Sequence, residues 1–257
     1  MKLAVLIPSY NTGAALLLNT VREALIEWPE VWVVIDGSTD GSESALDPLL
    51  ADHAGLRLLR FTENRGKGAA VLRGAEAAQQ AGYTNVLTMD ADGQHPARQI
   101  RAFAAMAKEF PQATLLGKPQ FGPEAPAIRI HGRRISNAWA HLETLGWGIG
   151  DSLFGMRVYP LEALISAFRS TRFARRFDFD TEIAVRIAWQ GVPMIQVPTP
   201  VRYLSREEGG VTQFRYVRDN ALLSWMHTRL FFGFLLRLPL LISRHLRGGN
   251  PLRQSAP

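Results

Sequence analysis

The chain has 257 residues, 47% of them hydrophobic, enough for one substantial α/β core with an appended segment. Cysteine is absent, which excludes a disulfide framework, a cysteine-ligated zinc site and a cysteine nucleophile, and fits a reducing compartment. The net charge of +6 comes from arginine, 25 Arg against 4 Lys. It concentrates late, where Arg206 to Pro257 carries eight Arg against Glu207, Glu208 and Asp219, a net of +5 that points to anionic partners.

The apolar run Lys2–Pro8 is too short for a signal peptide and reads as a strand buried on both faces. Ser9–Gly13 breaks it, and Leu17, Val21, Leu25 and Trp28 then recur at helical spacing over Ala14–Trp28. Val31–Ile35 is a second buried strand ending in Asp36-Gly-Ser-Thr-Asp-Gly41, and Ser42 is placed to cap a following helix. Leu56–Phe61 is a third strand, ending in Thr62–Gly68, and Ala69–Ala81 a helix. Val86–Met89, Arg98–Phe110 and Ala113–Leu116 read as strand, helix and strand. This alternation over the first ~115 residues predicts a parallel sheet with covering helices, and polar loops converging on its carboxyl edge.

Beyond Gly117 the pattern loosens. Lys118–Pro126 is a Pro/Gly-rich loop, Ile130–Leu145 a helix, Gly146–Asp151 a turn, Phe154–Tyr159 a strand, Phe179–Trp189 a helix and Pro193–Val197 a strand. Four arginines crowd Arg169–Arg176. The expected division is residues 1–205 as the α/β domain and 206–257 as a basic amphipathic segment. Within the latter, Leu230–Ile242 is nearly all apolar but shorter than a membrane span and interrupted by Arg237 and Pro239. A segment lying in the membrane interface is the favoured reading, with packing on the core or a second subunit as the alternative.

The chemistry centres on Thr88-Met-Asp-Ala-Asp-Gly-Gln-His-Pro96. Asp90 and Asp92 are expected at a strand's end, two residues apart and so on one face. Open α/β sheets bind ligands at that edge. Two crowded carboxylates call for a positive partner, and a divalent cation bridging to phosphate is one such partner. A polar turn before a helix near Pro96 is the other reading. No G-x-G-x-x-G follows the first strand, and Gly66-Lys67 lacks the flanks of a Walker loop.

Taken in order, VLIPSYN at Val5–Asn11, VVIDGSTDGS at Val33–Ser42, ENRGKGAA at Glu63–Ala70 and MDADGQHP at Met89–Pro96 resemble glycosyltransferase family 2, inverting enzymes of GT-A fold. GDSLFGMRVYP at Gly150–Pro160 and RFDFDTEIAVR at Arg176–Arg186 are similar to the branch containing dolichyl-phosphate mannose synthase and bacterial polyprenyl-phosphate glycosyltransferases. The resemblance spans about residues 3–205.

It implies a nucleotide-sugar donor, linked to uridine or guanosine diphosphate, cupped by Pro8, Tyr10, Asn11, Asp36, Ser38, Asn64, Gly66, Lys67 and Asp90. It implies Mg2+ or Mn2+ on Asp90 and Asp92. For an alcohol acceptor it implies a carboxylate base, with Asp151 first and Asp180 and Glu182 as further candidates. For a lipid phosphate, already ionised, arginines matter more: Arg129, Arg133, Arg134 and Arg157, with Gln94 and His95 near the acceptor. Each of these residues also has a plain structural reading, as turn, cap or surface side chain. Thr12 departs from the family, whose members often carry Glu there. The implied location is cytoplasmic, peripheral on the inner face of the membrane. A sugar-nucleotide nucleotidyltransferase and a non-catalytic nucleotide-sugar-binding protein are the competing classes; nucleic-acid binding lacks a reading motif.

Overall fold

The structure is a computed structural model that describes residues 1–122, 127–201 and 216–250, with the side chains of 127–131 and 216–217 also outside the description. Among the described residues seven strands form one sheet in the order β3-β2-β1-β4-β6-β5-β7. They are β1 (Leu3–Ser9), β2 (Val31–Asp36), β3 (Leu56–Phe61), β4 (Asn85–Thr88), β5 (Thr114–Gln120), β6 (Arg157–Pro160) and β7 (Met194–Pro200). The helices are α1 (Ala14–Glu27), α2 (Asp47–Asp52), α3 (Lys67–Gln80), α4 (Gln99–Glu109), α5 (Ala127–Glu143), α6 (Leu161–Arg169), α7 (Phe179–Gln190) and α8 (Tyr216–Leu246).

The mixed α/β class agrees with the sequence reading, but the sheet is not wholly parallel. β1 pairs in parallel with β2 and β4, β2 with β3, and β5 with β7. β6 runs antiparallel between β4 and β5. The connection from β5 through α5 returns the chain to the carboxyl edge, so β6 enters from there. That places the 151–156 loop beside the tip of β4. α6 is an element left unassigned above; Leu161, Leu164, Ile165 and Phe168 form its buried face.

Strand residues alternate between two apolar layers. Leu3, Val5, Ile7, Leu87 and Val158 join α1 and α4 on one side. Ala4, Leu6, Val86 and Tyr159 join α3, α6, α7 and α8 on the other. There Phe168 and Phe179 stack with ring centroids 5.5 Å apart and planes 6° from parallel.

The expectation of a short, interrupted C-terminal segment is corrected. α8 is one continuous helix through Pro239, and Arg218–Leu246 is long and apolar enough, by length and composition, to cross a membrane. Pro239 is exposed and removes a single N–H from a helix otherwise anchored by its neighbours. Arg237 is no break either: its guanidinium donates to Gly233 O and lies 4.6 Å from the Trp189 ring. Met226, Leu230, Phe234 and Leu241 bury the inner face of α8.

Phe168→Ala, which empties the stacked pair, is expected to destabilise the fold by about 3–5 kcal/mol, read as a lower urea midpoint.

Candidate functional site

A cavity of about 670 Å3 opens at the carboxyl edge of the sheet. Its walls come largely from the carboxyl ends of the four parallel strands β1 to β4 and the segments that follow them. The end of β1 and its loop contribute Pro8, Ser9, Tyr10, Asn11 and Thr12; the end of β2, the loop after β3 and the start of α3 contribute Asp36, Asn64, Gly66 and Lys67. The turn after β4 contributes Asp90, Ala91, Asp92 and Gln94. Ser38 does not line the cavity; its Oγ accepts from the Asn11 N–H at 3.1 Å and braces that loop.

Asp36 is 2% exposed. Its carboxylate accepts from the N–H groups of Arg65 and Gly66, both at 2.7 Å, and from Asn64 Nδ2 at 3.0 Å. It therefore builds the third loop as well as facing the cavity. Gly66 has φ +97°, and a Cβ there would fall 2.3 Å from Arg175 O, so the position requires glycine.

Asp90 and Asp92 do reach one cavity, but not by strand alternation. β4 stops at Thr88, and the pair sits in a turn. His95 closes that turn: its Nδ1 accepts from the Asp90 N–H at 3.0 Å, which leaves the proton on Nε2. The imidazole is 4% exposed and packs edge-on to Phe154 at 4.6 Å. His95 is thus a buried brace for Asp90, and the expectation of acceptor contact is corrected.

Lys67 Nζ lies 2.7 Å from both Asp90 Oδ1 and Asp180 Oδ2. Burial opposes its charge, but the two carboxylates outweigh burial and hold the ammonium well above its usual pKa. Burial likewise pushes the Asp90 carboxyl up, and the ammonium of Lys67 beside it brings it below the usual value. Asp92 is pushed up, by burial first and then by the charge of Asp90.

The turn thus keeps a charge deficit that Lys67 leaves unmet at Asp92. Two carboxylates facing a polar cavity are a hard-oxygen donor set that fits Mg2+ or Mn2+. Among the described residues no cluster of three His, Asp or Glu ligands forms, so other ligands would come from diphosphate and water.

Arg157, an acceptor candidate by resemblance, is corrected. It is fully buried, and its guanidinium donates to Phe154 O, Asp151 O, Tyr159 Oη and Asp180 O. Its donors are spent pinning the 151–154 loop to the start of α7. Glu182 is corrected too. It is fully buried away from the cavity, accepting from Thr171, Arg186 and both terminal nitrogens of Arg229, and so fastens α8 to α7. Asp180 remains at the site through Lys67; its Oδ1 is buried without a hydrogen-bond partner among the described residues.

Asp151 is 5% exposed. Its Oδ1 accepts from Arg133 at 2.7 Å and from the Leu153 N–H at 3.0 Å, and its Oδ2 from Asn137 at 3.4 Å. Arg134 is exposed on α5. Arg129 belongs to α5, but its side chain lies outside the described residues.

The sequence reading missed Leu16, Arg176, Phe177 and Arg218, which also line the cavity. Arg176 donates to Asn64 Oδ1 at 3.1 Å. Arg218 stands at the start of α8, and no spacing rule links it to the loops after β1 to β4, far earlier in the chain.

The family model described as glycosyl transferase family 2 matches residues 4–168. A polyprenol monophosphomannose synthase from Mycolicibacterium smegmatis is 27% identical over 213 residues, covering 80% of this chain and 78% of that protein. An undecaprenyl-phosphate mannosyltransferase from Micrococcus luteus is 26% identical over 215 residues, covering 81% and 86%. Among solved structures, a Pyrobaculum calidifontis mannosyltransferase in complex with GDP-Man and Mn2+ aligns with TM-score 0.59 and 22% identity, over 92% of this chain and 64% of that one. Glucosyl-3-phosphoglycerate synthase from Mycobacterium tuberculosis, solved with Mn2+ and uridine diphosphate, gives 0.62 and 17%, over 91% and 79%. These two share the fold.

Asp36→Asn replaces an acceptor-only group with one that turns an NH2 toward a backbone donor. It is expected to cost about 1–3 kcal/mol of stability, measured by urea denaturation.

Proposed function

The chain belongs to glycosyltransferase family 2, and we propose that it moves a sugar from a uridine- or guanosine-diphosphate sugar onto a lipid phosphate at a membrane surface. The observation that carries this reading is the state of Asp151. Both of its oxygens are engaged by donors, and one donor is the Arg133 guanidinium. With both oxygens already accepting from protein donors, this carboxylate is ill placed to take a proton from an alcohol. A phosphate acceptor arrives ionised and needs no base. It needs a positioned cation, and Asp151 holds Arg133 in place to be one. The Mycolicibacterium relative is a polyprenol monophosphomannose synthase and the Micrococcus relative an undecaprenyl-phosphate mannosyltransferase, which supports the same acceptor class.

In this reading the loops at Pro8–Thr12, Asp36 and Asn64–Gly66 seat the nucleoside. The acceptor phosphate oxygen attacks the anomeric carbon opposite the departing diphosphate, whose oxygen takes the bonding pair, so the centre inverts. Asp90 and Asp92 would hold Mg2+ or Mn2+, which supplies Lewis-acid charge at the leaving group when bound. Lys67 keeps Asp90 ionised and aligned.

The same reading sets the protein on the inner, cytoplasmic face of a membrane, peripherally. α8 ties its inner face to α5 and α7 through His227 and Arg229, so its outer face alone is free for lipid. That supports lying on the bilayer over crossing it. Trp225, Phe232, Leu236 and Leu246 on α8 and Ile135 on α5 are more than half exposed. The Arg-rich tail adds attraction to anionic lipid.

With Mn2+, a polyprenyl phosphate and a panel of UDP- and GDP-sugars, nucleoside diphosphate release is expected from at least one donor, lost on chelation and restored by Mn2+. Pyrophosphate release would mean nucleotidyl transfer, and no release across the panel a binding protein. Arg133→Ala should lower kcat/KM for the lipid phosphate by at least about tenfold, from loss of a charge-assisted bond of roughly 1.5–3 kcal/mol. If Asp151→Asn abolishes transfer while Arg133→Ala barely matters, the acceptor is an alcohol and Asp151 its base. Phe232→Glu with Leu236→Glu should release the protein from phosphatidylglycerol vesicles in co-sedimentation; unchanged pelleting would sink the membrane-face reading.

A further inference from the structure

We propose that His227, on the lipid-side helix α8, is a positioning residue for the acceptor side of the site, acting on Asp151 and Arg133 through a one-way chain of hydrogen bonds. The proposal rests on the phosphate-acceptor reading above.

The direction of the chain follows from counting protons. The Asn137 amide is oriented by the Ser152 N–H, which donates to Asn137 Oδ1 at 2.8 Å, so Asn137 Nδ2 faces Asp151 Oδ2. Ser152 Oγ lies 2.9 Å from the same Asn137 Oδ1, an acceptor, so the Ser152 hydroxyl proton is spent there. Ser152 Oγ is also 3.1 Å from Ser136 Oγ, and toward it Ser152 can only accept. The Ser136 proton is therefore spent on Ser152. Ser136 Oγ then has to accept from its remaining partner, His227 Nε2, at 3.1 Å.

So His227 carries its proton on Nε2. Its Nδ1 meets Glu143 Oε1 at 2.9 Å. Whether the proton between them sits on the ring or on the carboxyl, Nε2–H still points at Ser136. Donors run one way, from α8 through α5 to the 151–156 loop and its Asp151. Chains of this kind polarise one another in a low-dielectric interior.

The chain is built as a buried device. Glu143 and Ser152 are fully buried, and Ser136, Asp151 and His227 are less than a tenth exposed. Glu143 Oε2 has no hydrogen-bond partner among the described residues, so this carboxylate serves His227. Trp139 lies over the imidazole with centroids 6.1 Å apart, and Phe231 meets Trp139 edge-on.

Ser136, His227 and Glu143 have the order of a hydrolytic triad, but the histidine presents N–H to the serine and no lone pair, and the serine is buried. The group cannot act as nucleophile and base. A buried histidine that simply clamped two helices would need Glu143 alone. The Ser136–Ser152 link is what carries its position onward to the carboxylate that holds Arg133.

The test compares His227→Phe, which keeps the volume and deletes both bonds, with His227→Gln, whose amide nitrogen restores a donor toward Ser136. His227→Phe is expected to lower kcat with lipid phosphate about tenfold while KM for the nucleotide sugar stays within about twofold, a barrier change of about 1.4 kcal/mol. His227→Gln should recover most of that loss. Amide hydrogen exchange at Ser152 should speed up in His227→Phe and not at β1. If His227→Phe fails to fold, Ser136→Ala breaks the same chain at lower cost and should give the same exchange change. Unchanged kcat and unchanged Ser152 exchange, with only a lower melting temperature, would overturn the proposal. An inactive wild type would overturn the phosphate-acceptor reading instead, and exchange at Ser152 would still decide whether His227 positions Asp151.

Discussion

The site depends on one ammonium group. Lys67 is the first residue of α3, and its Nζ bridges Asp90 of the β4 turn and Asp180 of α7. Without it the buried carboxylate of Asp180 and the partly exposed one of Asp90 would face each other with no counter-charge between them. Three parts of the chain far apart in sequence are thereby held to one geometry. Gly155 sits directly against this cluster: a Cβ there would fall 2.6 Å from Asp90 Oδ2 and 2.8 Å from Lys67 Nζ. The close approach of the 151–156 loop is why that position is glycine.

Around the bridge two loops are stabilised differently. The Asn64–Gly66 loop is organised by a carboxylate reading N–H groups, since Asp36 holds it directly. The 151–154 loop, proposed above to face the acceptor, is organised by a buried guanidinium reading backbone carbonyls. Arg157 ties Asp151 and Phe154 to Asp180, and so to the Lys67 bridge. Burying a charge of this kind is costly unless it is well hydrogen-bonded, and the Arg157 guanidinium donates to four acceptors.

α8 connects this machinery to the exterior. Its inner face carries two buried polar anchors, His227 on α5 and Arg229 on α7, and the Arg229 guanidinium also lies 3.7 Å from the Phe173 ring. Such anchors fix rotation and register in a way that apolar packing alone does not. The same helix sends Arg218 to the cavity and Phe232 and Leu236 to the outside. One helix therefore reaches the cavity through Arg218, the 151–156 loop through His227 and Ser136, and the surface proposed to meet lipid.

The sequence by itself determined the repeating strands and helices of the first 115 residues, and the loops that line the cavity. Apolar runs and Gly/Asp/Asn punctuation are local signals, and parallel strands bring their ends to one edge. It also marked Asp90 with Asp92 as the acidic pair and α8 as basic and apolar. What it left open were matters of partner and direction. That β6 would slot antiparallel between β4 and β5 depends on which edge the chain re-enters. That Arg157 and Glu182 are spent inside the fold, while Arg133 is held beside Asp151, depends on burial and on donors from distant segments. That α8 runs unbroken through Pro239 depends on the helices it packs against. A motif specifies residue type and spacing, but the charge state and free valences of a side chain are set by its three-dimensional neighbours, and only the tertiary structure decided those.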